Sequence, residues 1–204
     1  MIGFYDYTVI LTYMGALAGL MGIRFAAGEN YTAVCMCMGV SLFCDTLDGK
    51  VARRKRGRTE QEMLFGIQID SLCDLISFGV CPAFLFYSLG LKSFPDLLLL
   101  GAYCLCCVIR LGYFNVLACQ AELGTKGDYH GLPVVCLDVV VPLLYLIGKR
   151  IYTTPRLWML RGALLVFGFL YILDFRVKKP NTWQYVAMTA VFCIPMGILL
   201  ARHL

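Results

Sequence analysis

Seven apolar stretches, each close to the length a helix needs to cross a bilayer, limit what this chain can fold into. They lie near residues 7–24, 31–47, 64–90, 95–119, 131–148, 157–173 and 183–201, and a span takes about 20 largely apolar residues at about 1.5 Å of rise each. Lipid leaves unpaired strand edges without partners, and the stretches lack the period-two alternation of barrel strands, so helices are the expected state. Composition agrees: of 204 residues 60% are hydrophobic and 15% charged, and the mean hydropathy is +0.75. Soluble domains are nearer about 45–50% apolar, and a chain this apolar is not disordered. The expected fold class is all-α. It is a polytopic membrane helix bundle of about seven transmembrane helices, one integral-membrane domain over residues 1–204.

Charge placement orients the bundle. With the first helix entering from the cytoplasm, the Arg53 to Arg58 run, Lys126 and the Arg176, Lys178 and Lys179 group all face inward, as the positive-inside rule favours. The basic run reads as an anchor on anionic lipid, and no nucleic-acid partner is expected. A multi-pass protein of the cell membrane follows. The N-terminus has no positive n-region, so the first span is expected to be retained. Eleven cysteines fall almost wholly inside apolar stretches without paired C-x-x-C blocks, and read as small packing residues.

Thirteen acidic residues then need a reason, because carboxylates in a membrane chain are costly. Four of them fall between Asp45 and Asp74, at the end of one stretch and the start of the next. On helices Asp45 and Asp48 are i,i+3 neighbours, and Asp70 and Asp74 are i,i+4 neighbours. Joined by a loop, the two helices run antiparallel, so the carboxylate pairs can meet at one membrane boundary. Four such groups repel one another unless cations intervene. Hard divalent ions with oxygen ligands are the natural solution, and two of them make a clamp for phosphoryl chemistry. Gly49 and Ala52 lie beside the first pair and Gly66 one turn before the second, leaving room for a ligand. Taken singly, these small residues read equally as helix-packing positions. Arg53 can reach a phosphate by a bidentate contact.

The order D-x2-D-G-x2-A-R from Asp45, a spacer, and G-x3-D-x3-D ending at Asp74 resembles the signature of the CDP-alcohol phosphatidyltransferases. The spacer of twelve residues from Arg54 to Phe65 is longer than that family's usual one. Ser77-Phe78-Gly79-Val80-Cys81-Pro82-Ala83, Arg110-Leu111-Gly112-Tyr113-Phe114-Asn115, Gly131-Leu132-Pro133 and Asp174-Phe175-Arg176-Val177 look like the phosphatidylserine synthase branch. The resemblance implies transfer of phosphatidyl from CDP-diacylglycerol to the hydroxyl of L-serine, releasing CMP. It implies that Asp45, Asp48, Asp70 and Asp74 hold two divalent cations, Mg²⁺ or Mn²⁺, at the cytoplasmic interface. Asp74 would also be the general base, Gly49, Ala52 and Arg53 would contact the CDP moiety, and a homodimer is expected. The family's Asn-x-x-Thr pair at the first helix is incomplete here, since Val9 stands at the asparagine position before Thr12.

Other polar residues keep two readings each. Arg110 either binds the serine carboxylate or a lipid-linked phosphate, or snorkels to headgroups. Ser77, three residues after Asp74, touches substrate or bonds back to its own helix. Asp138 supports the site from behind or pairs with a buried donor elsewhere. Asn115 orders Arg110 or caps a helix, and His130, Trp158, Trp183 and Tyr185 read as interfacial residues. Transfer to another alcohol, glycerol phosphate or inositol phosphate, is the alternative within the same chemistry. A cation transporter predicts acids near the bilayer centre and repeated broken helices, which the pattern lacks.

Overall fold

The computed structural model describes residues 3, 7–54, 57, 59–122, 131–175 and 182–201, apart from the side chains of residues 8, 50–54, 120–122 and 182–188. Among the described residues the chain is helical with short connections. The helices are α1 (Ile10–Ala27), α2 (Tyr31–Arg54), α3 (Glu60–Asp74), α4 (Cys81–Ser88), α5 (Phe94–Glu122), α6 (Cys136–Gly148), α7 (Thr153–Ile172) and α8 (Thr182–Ala201). Residues Leu75–Val80 form a π-helical turn that joins α3 and α4 into one rod. Among the described residues, five helical rods are long and apolar enough to cross a membrane. α6, with 13 residues, covers only about 20 Å at 1.5 Å per residue. The protein is a polytopic helical membrane protein.

Several starts differ from the sequence expectation, α7 for instance beginning at Thr153 rather than 157, and two of them have a clear local cause. The third rod begins at Glu60 rather than near 64, because Thr59 and Glu62 form a capping box: the Glu62 amide donates to Thr59 Oγ1 at 3.2 Å, and the Thr59 amide to Glu62 Oε2 at 2.8 Å. This satisfies two amide donors that a helix start leaves open. α6 begins at Cys136 rather than 131. Gly131 adopts φ +71°, a left-handed backbone that glycine takes without a Cβ penalty, and its amide donates to the Phe175 carbonyl at 2.8 Å.

α1 is the helix that sets the site. Its buried Gly15, Gly19 and Gly22 recur at helical spacing, and small residues of this kind let membrane helices approach closely. The Gly15 carbonyl accepts two hydroxyls, from Ser41 of α2 at 2.8 Å and from Ser77 of the π turn at 3.1 Å. At Gly19 an added Cβ would sit 2.9 Å from the Ser77 Cα. Backbone cannot yield as a side-chain tip can, so Gly19→Ala is expected to destabilise by about 1–3 kcal/mol. The thermal unfolding midpoint of the solubilised protein checks this; an unchanged midpoint would mean that α1 has room to move.

The π turn is fastened from the other side as well. Tyr103 of α5 is 1% exposed and donates its hydroxyl to the Phe78 carbonyl at 2.8 Å. A π turn leaves backbone groups out of the regular i to i−4 ladder, and Tyr103 occupies one of them. At the end of the bundle away from the π turn, Asp96 caps α5 through Ser93 and holds Arg161 of α7 by two contacts, 2.7 and 3.1 Å. All eleven cysteines are free thiols, as expected for packing residues.

Candidate active site

α2 and α3 run antiparallel and bring three of the four expected carboxylates together. One oxygen each of Asp45, Asp70 and Asp74 lies within 4.8 Å of the other two. Asp45 faces this group because it lies one turn from Ser41, whose hydroxyl is anchored on α1. Asp70 and Asp74 face it because they are one turn apart on α3. Three carboxylate oxygens so close, with no cation among the described side chains between them, make a hard-donor set that suits a divalent ion of the Mg²⁺ or Mn²⁺ type.

Asp48 adjoins the same group, its side chain hydrogen-bonded with that of Asp70, and it is also held from α1. It is buried, and Thr12 of α1 donates to its Oδ2 at 3.0 Å. Asp48 lines a small cavity together with Asp45, Asp74, Ser77, Thr12 and Gly15, so it belongs to the same site from the α1 side. Thr12 is the residue that sequence reasoning passed over, since the incomplete Asn-x-x-Thr pair argued against it. Its signal was its spacing on the first helix. Loss of a hydrogen bond to a carboxylate costs about 1.5–3 kcal/mol, so Thr12→Val should weaken divalent-metal affinity several-fold with the fold retained. Titration of the unfolding midpoint with Mn²⁺ measures it; an unaltered titration would detach Thr12 from the site.

The remaining expectations resolve as follows. Gly49 follows Asp48 on α2, and Gly66 precedes Asp70 by one turn on α3. The side chains of Ala52 and Arg53 lie outside the described residues, as do Arg58, Lys126, His130, Arg176, Lys178 and Lys179 and the side chains of Trp183 and Tyr185. Ser77 is 3% exposed and bonds α1 rather than its own helix. Arg110 does not snorkel. It is 5% exposed, its Nε donates to the Leu132 carbonyl at 3.0 Å, and its guanidinium lies 3.2 Å from the Phe114 ring centroid, a cation–π arrangement. The left-handed Gly131 thus has a local purpose: it turns the chain so that the next carbonyl meets Arg110.

Asn115 does neither of the jobs expected of it. It accepts from the Ser71 hydroxyl and donates to Gln68 Oε1 at 3.0 Å, so it ties α5 to the helix that carries Asp70 and Asp74. Asp138 is fully buried, and both its carboxyl oxygens lack a hydrogen-bond partner among the described residues. Of its two readings, the pairing with a buried donor finds no such donor among the described residues.

Comparison with known proteins decides the family. Residues 8–173 match the family model described as CDP-alcohol phosphatidyltransferase. The chain belongs to that family. Similar proteins include an archaetidylserine synthase of Methanothermobacter thermautotrophicus, 36% identical over 68% of this chain, where the match spans 57% of the relative's length. A CDP-diacylglycerol–serine O-phosphatidyltransferase of Bacillus subtilis is 30% identical over 87% of this chain and 92% of its own. One of Mycobacterium leprae is 36% identical over 95% of this chain and 67% of its own. The matched residues include Asp45 and Asp48 of α2 and Asp70 and Asp74 of α3, and both helices pack on α1.

Proposed function

We propose that the protein transfers the phosphatidyl group of CDP-diacylglycerol to the hydroxyl of L-serine, giving phosphatidylserine and CMP. The observation that carries this reading is the meeting of Asp45, Asp70 and Asp74 within 4.8 Å, in a chain whose relatives are named for serine transfer. Asp45, Asp48, Asp70 and Asp74 would hold two divalent cations, Mg²⁺ or Mn²⁺, whose positive charge neutralises the pyrophosphate and the departing CMP. Asp74 accepts the proton of the serine hydroxyl as its oxygen bonds to the lipid-linked phosphorus and the bond to CMP breaks. A hydroxyl is a poor nucleophile until a positioned carboxylate takes its proton.

Gly49, Ala52 and Arg53 of α2 and Gly66 of α3 would receive the CDP moiety. Arg110 meets the serine carboxylate, and Phe114 and the Leu132 carbonyl hold its guanidinium in place before substrate arrives. Ser77 serves the same site by locking the π turn to α1 beneath Asp74. The site lies at the membrane boundary because one substrate is a lipid and the other is water-soluble. We assign that boundary to the cytoplasmic side, on the strength of the basic residues after α2, α5 and α7. The homodimer implied by the family resemblance is part of the same proposal.

The test gives purified protein CDP-diacylglycerol, Mn²⁺ or Mg²⁺, and in turn L-serine, glycerol phosphate or inositol phosphate, and follows CMP. Metal-dependent release with serine is the expected result. Release with a phosphorylated acceptor and none with serine would overturn the choice of acceptor. No release with any acceptor would overturn the enzyme reading.

A further inference from the structure

We propose that the end of the bundle away from the aspartates binds the phosphate of an anionic bilayer phospholipid, in a cavity between α4, α6 and α7. The cavity is lined by the apolar Leu89, Leu144 and Leu160 and by Tyr145, Lys149 and Arg156. Arg156 is built into it. Gly148 carries no side chain where an added Cβ would stand 3.2 Å from Arg156 Cδ, so the arginine stem packs flat against the end of α6. Its Nη2 points to the Leu89 carbonyl at 3.5 Å, while its Nε is buried with no hydrogen-bond partner among the described residues. A buried donor of a charged group left unpaired is expensive, and an anionic oxygen in the cavity would satisfy it. Lys149, whose ammonium lies 5.1 Å from the Tyr145 ring centroid, supplies a second positive charge.

Charge at this end favours an anion. Lys92 and Arg150 are exposed nearby in the connections. Of the described acids at this end, Asp96 is held by Arg161 at 2.7 Å, and Glu29 is exposed in the α1 to α2 turn. The lining and the surroundings favour a lipid over a free ion. Three of the seven lining residues are leucine, and Tyr152 and Trp158, 88% and 65% exposed, mark the headgroup level where such rings gather. Exposed Ile147 at the end of α6 gives acyl chains an apolar face beside the phosphate. The site is remote from the carboxylates and does not depend on the acceptor assigned above.

The experiment measures the unfolding midpoint of the full-length protein in neutral detergent, with added phosphatidylglycerol, inorganic phosphate or phosphatidylcholine, and counts retained lipid by native mass spectrometry. Phosphatidylglycerol should raise the midpoint by several degrees, as a ligand that binds only the folded state does; the other two should do little. The Lys149→Gln/Arg156→Gln double variant should need at least tenfold more phosphatidylglycerol for the same shift, with metal-dependent CMP release unchanged. Arg150→Gln should respond as the wild type does. Should the double variant fail to fold, Lys149→Gln alone, at an exposed position, should still need several-fold more. An equal response of Lys149→Gln and the wild type to phosphatidylglycerol would overturn the site. Equal shifts from inorganic phosphate and phosphatidylglycerol would overturn the lipid as its occupant.

Discussion

Asp74→Asn is expected to lower the rate of CMP release by about 10²–10⁴-fold, the range by which a positioned base accelerates such a step, while metal-dependent binding of CDP-diacylglycerol stays measurable. Asparagine keeps the size of the side chain and one oxygen for an ion, but it cannot take the serine proton. The fold should tolerate the change, since the neighbouring anchors, the Ser77 to Gly15 bond and the Tyr103 to Phe78 bond, do not involve Asp74. Single-turnover CMP release and equilibrium binding of a labelled CDP-lipid separate the two effects. Turnover at the wild-type rate would remove Asp74 as the base. Loss of lipid binding together with turnover would assign it to holding metal alone.

Removing divalent metal is expected to have the other large effect. Carboxylates within 4.8 Å repel by roughly 3 kcal/mol per ionised pair at an effective dielectric near 20, and an ion among them converts that repulsion into attraction. Chelation should therefore bring CMP release to background and lower the unfolding midpoint, and Mg²⁺ or Mn²⁺ should restore both. Asp45→Asn should raise the metal concentration needed for half-maximal recovery at least tenfold, because it removes one of three converging charges. A midpoint indifferent to chelation would mean that these carboxylates hold no ion.

The helical class, five of the seven spans and the meeting of Asp45 with Asp70 and Asp74 were legible in the sequence, for one physical reason. Hydropathy and helical spacing are local properties, and a short loop between two spans forces their neighbouring ends together. What could not be read depends on how helices rotate against each other. The bond from Thr12 to Asp48 depends on the glycine stripe that seats α1, not on any spacing within α2. Ser77 lies three residues from Asp74, which on a regular helix offers a bond to its own backbone; only the third helix in space provides the Gly15 carbonyl that it takes instead. Arg110 looked equally suited to headgroups, because nothing local announces that a carbonyl two dozen residues on will be turned toward it. The start of α3 was hidden for a different reason: the capping pair is polar, and polarity beside a basic run reads as loop.

The π turn after Asp74 has a consequence for register. Each residue of an α-helix advances about 100° around the axis, and a π turn accommodates one residue more than a regular turn does. A helical wheel drawn straight through Glu60 to Ser88 therefore misassigns the lipid-facing side of everything beyond Val80. The extra residue acts as a rotary joint: the aspartate-bearing half of the rod and the α4 half each present the face that their own partners require. A family member lacking one residue here would have to choose between turning its aspartates inward and burying its α4 apolar face.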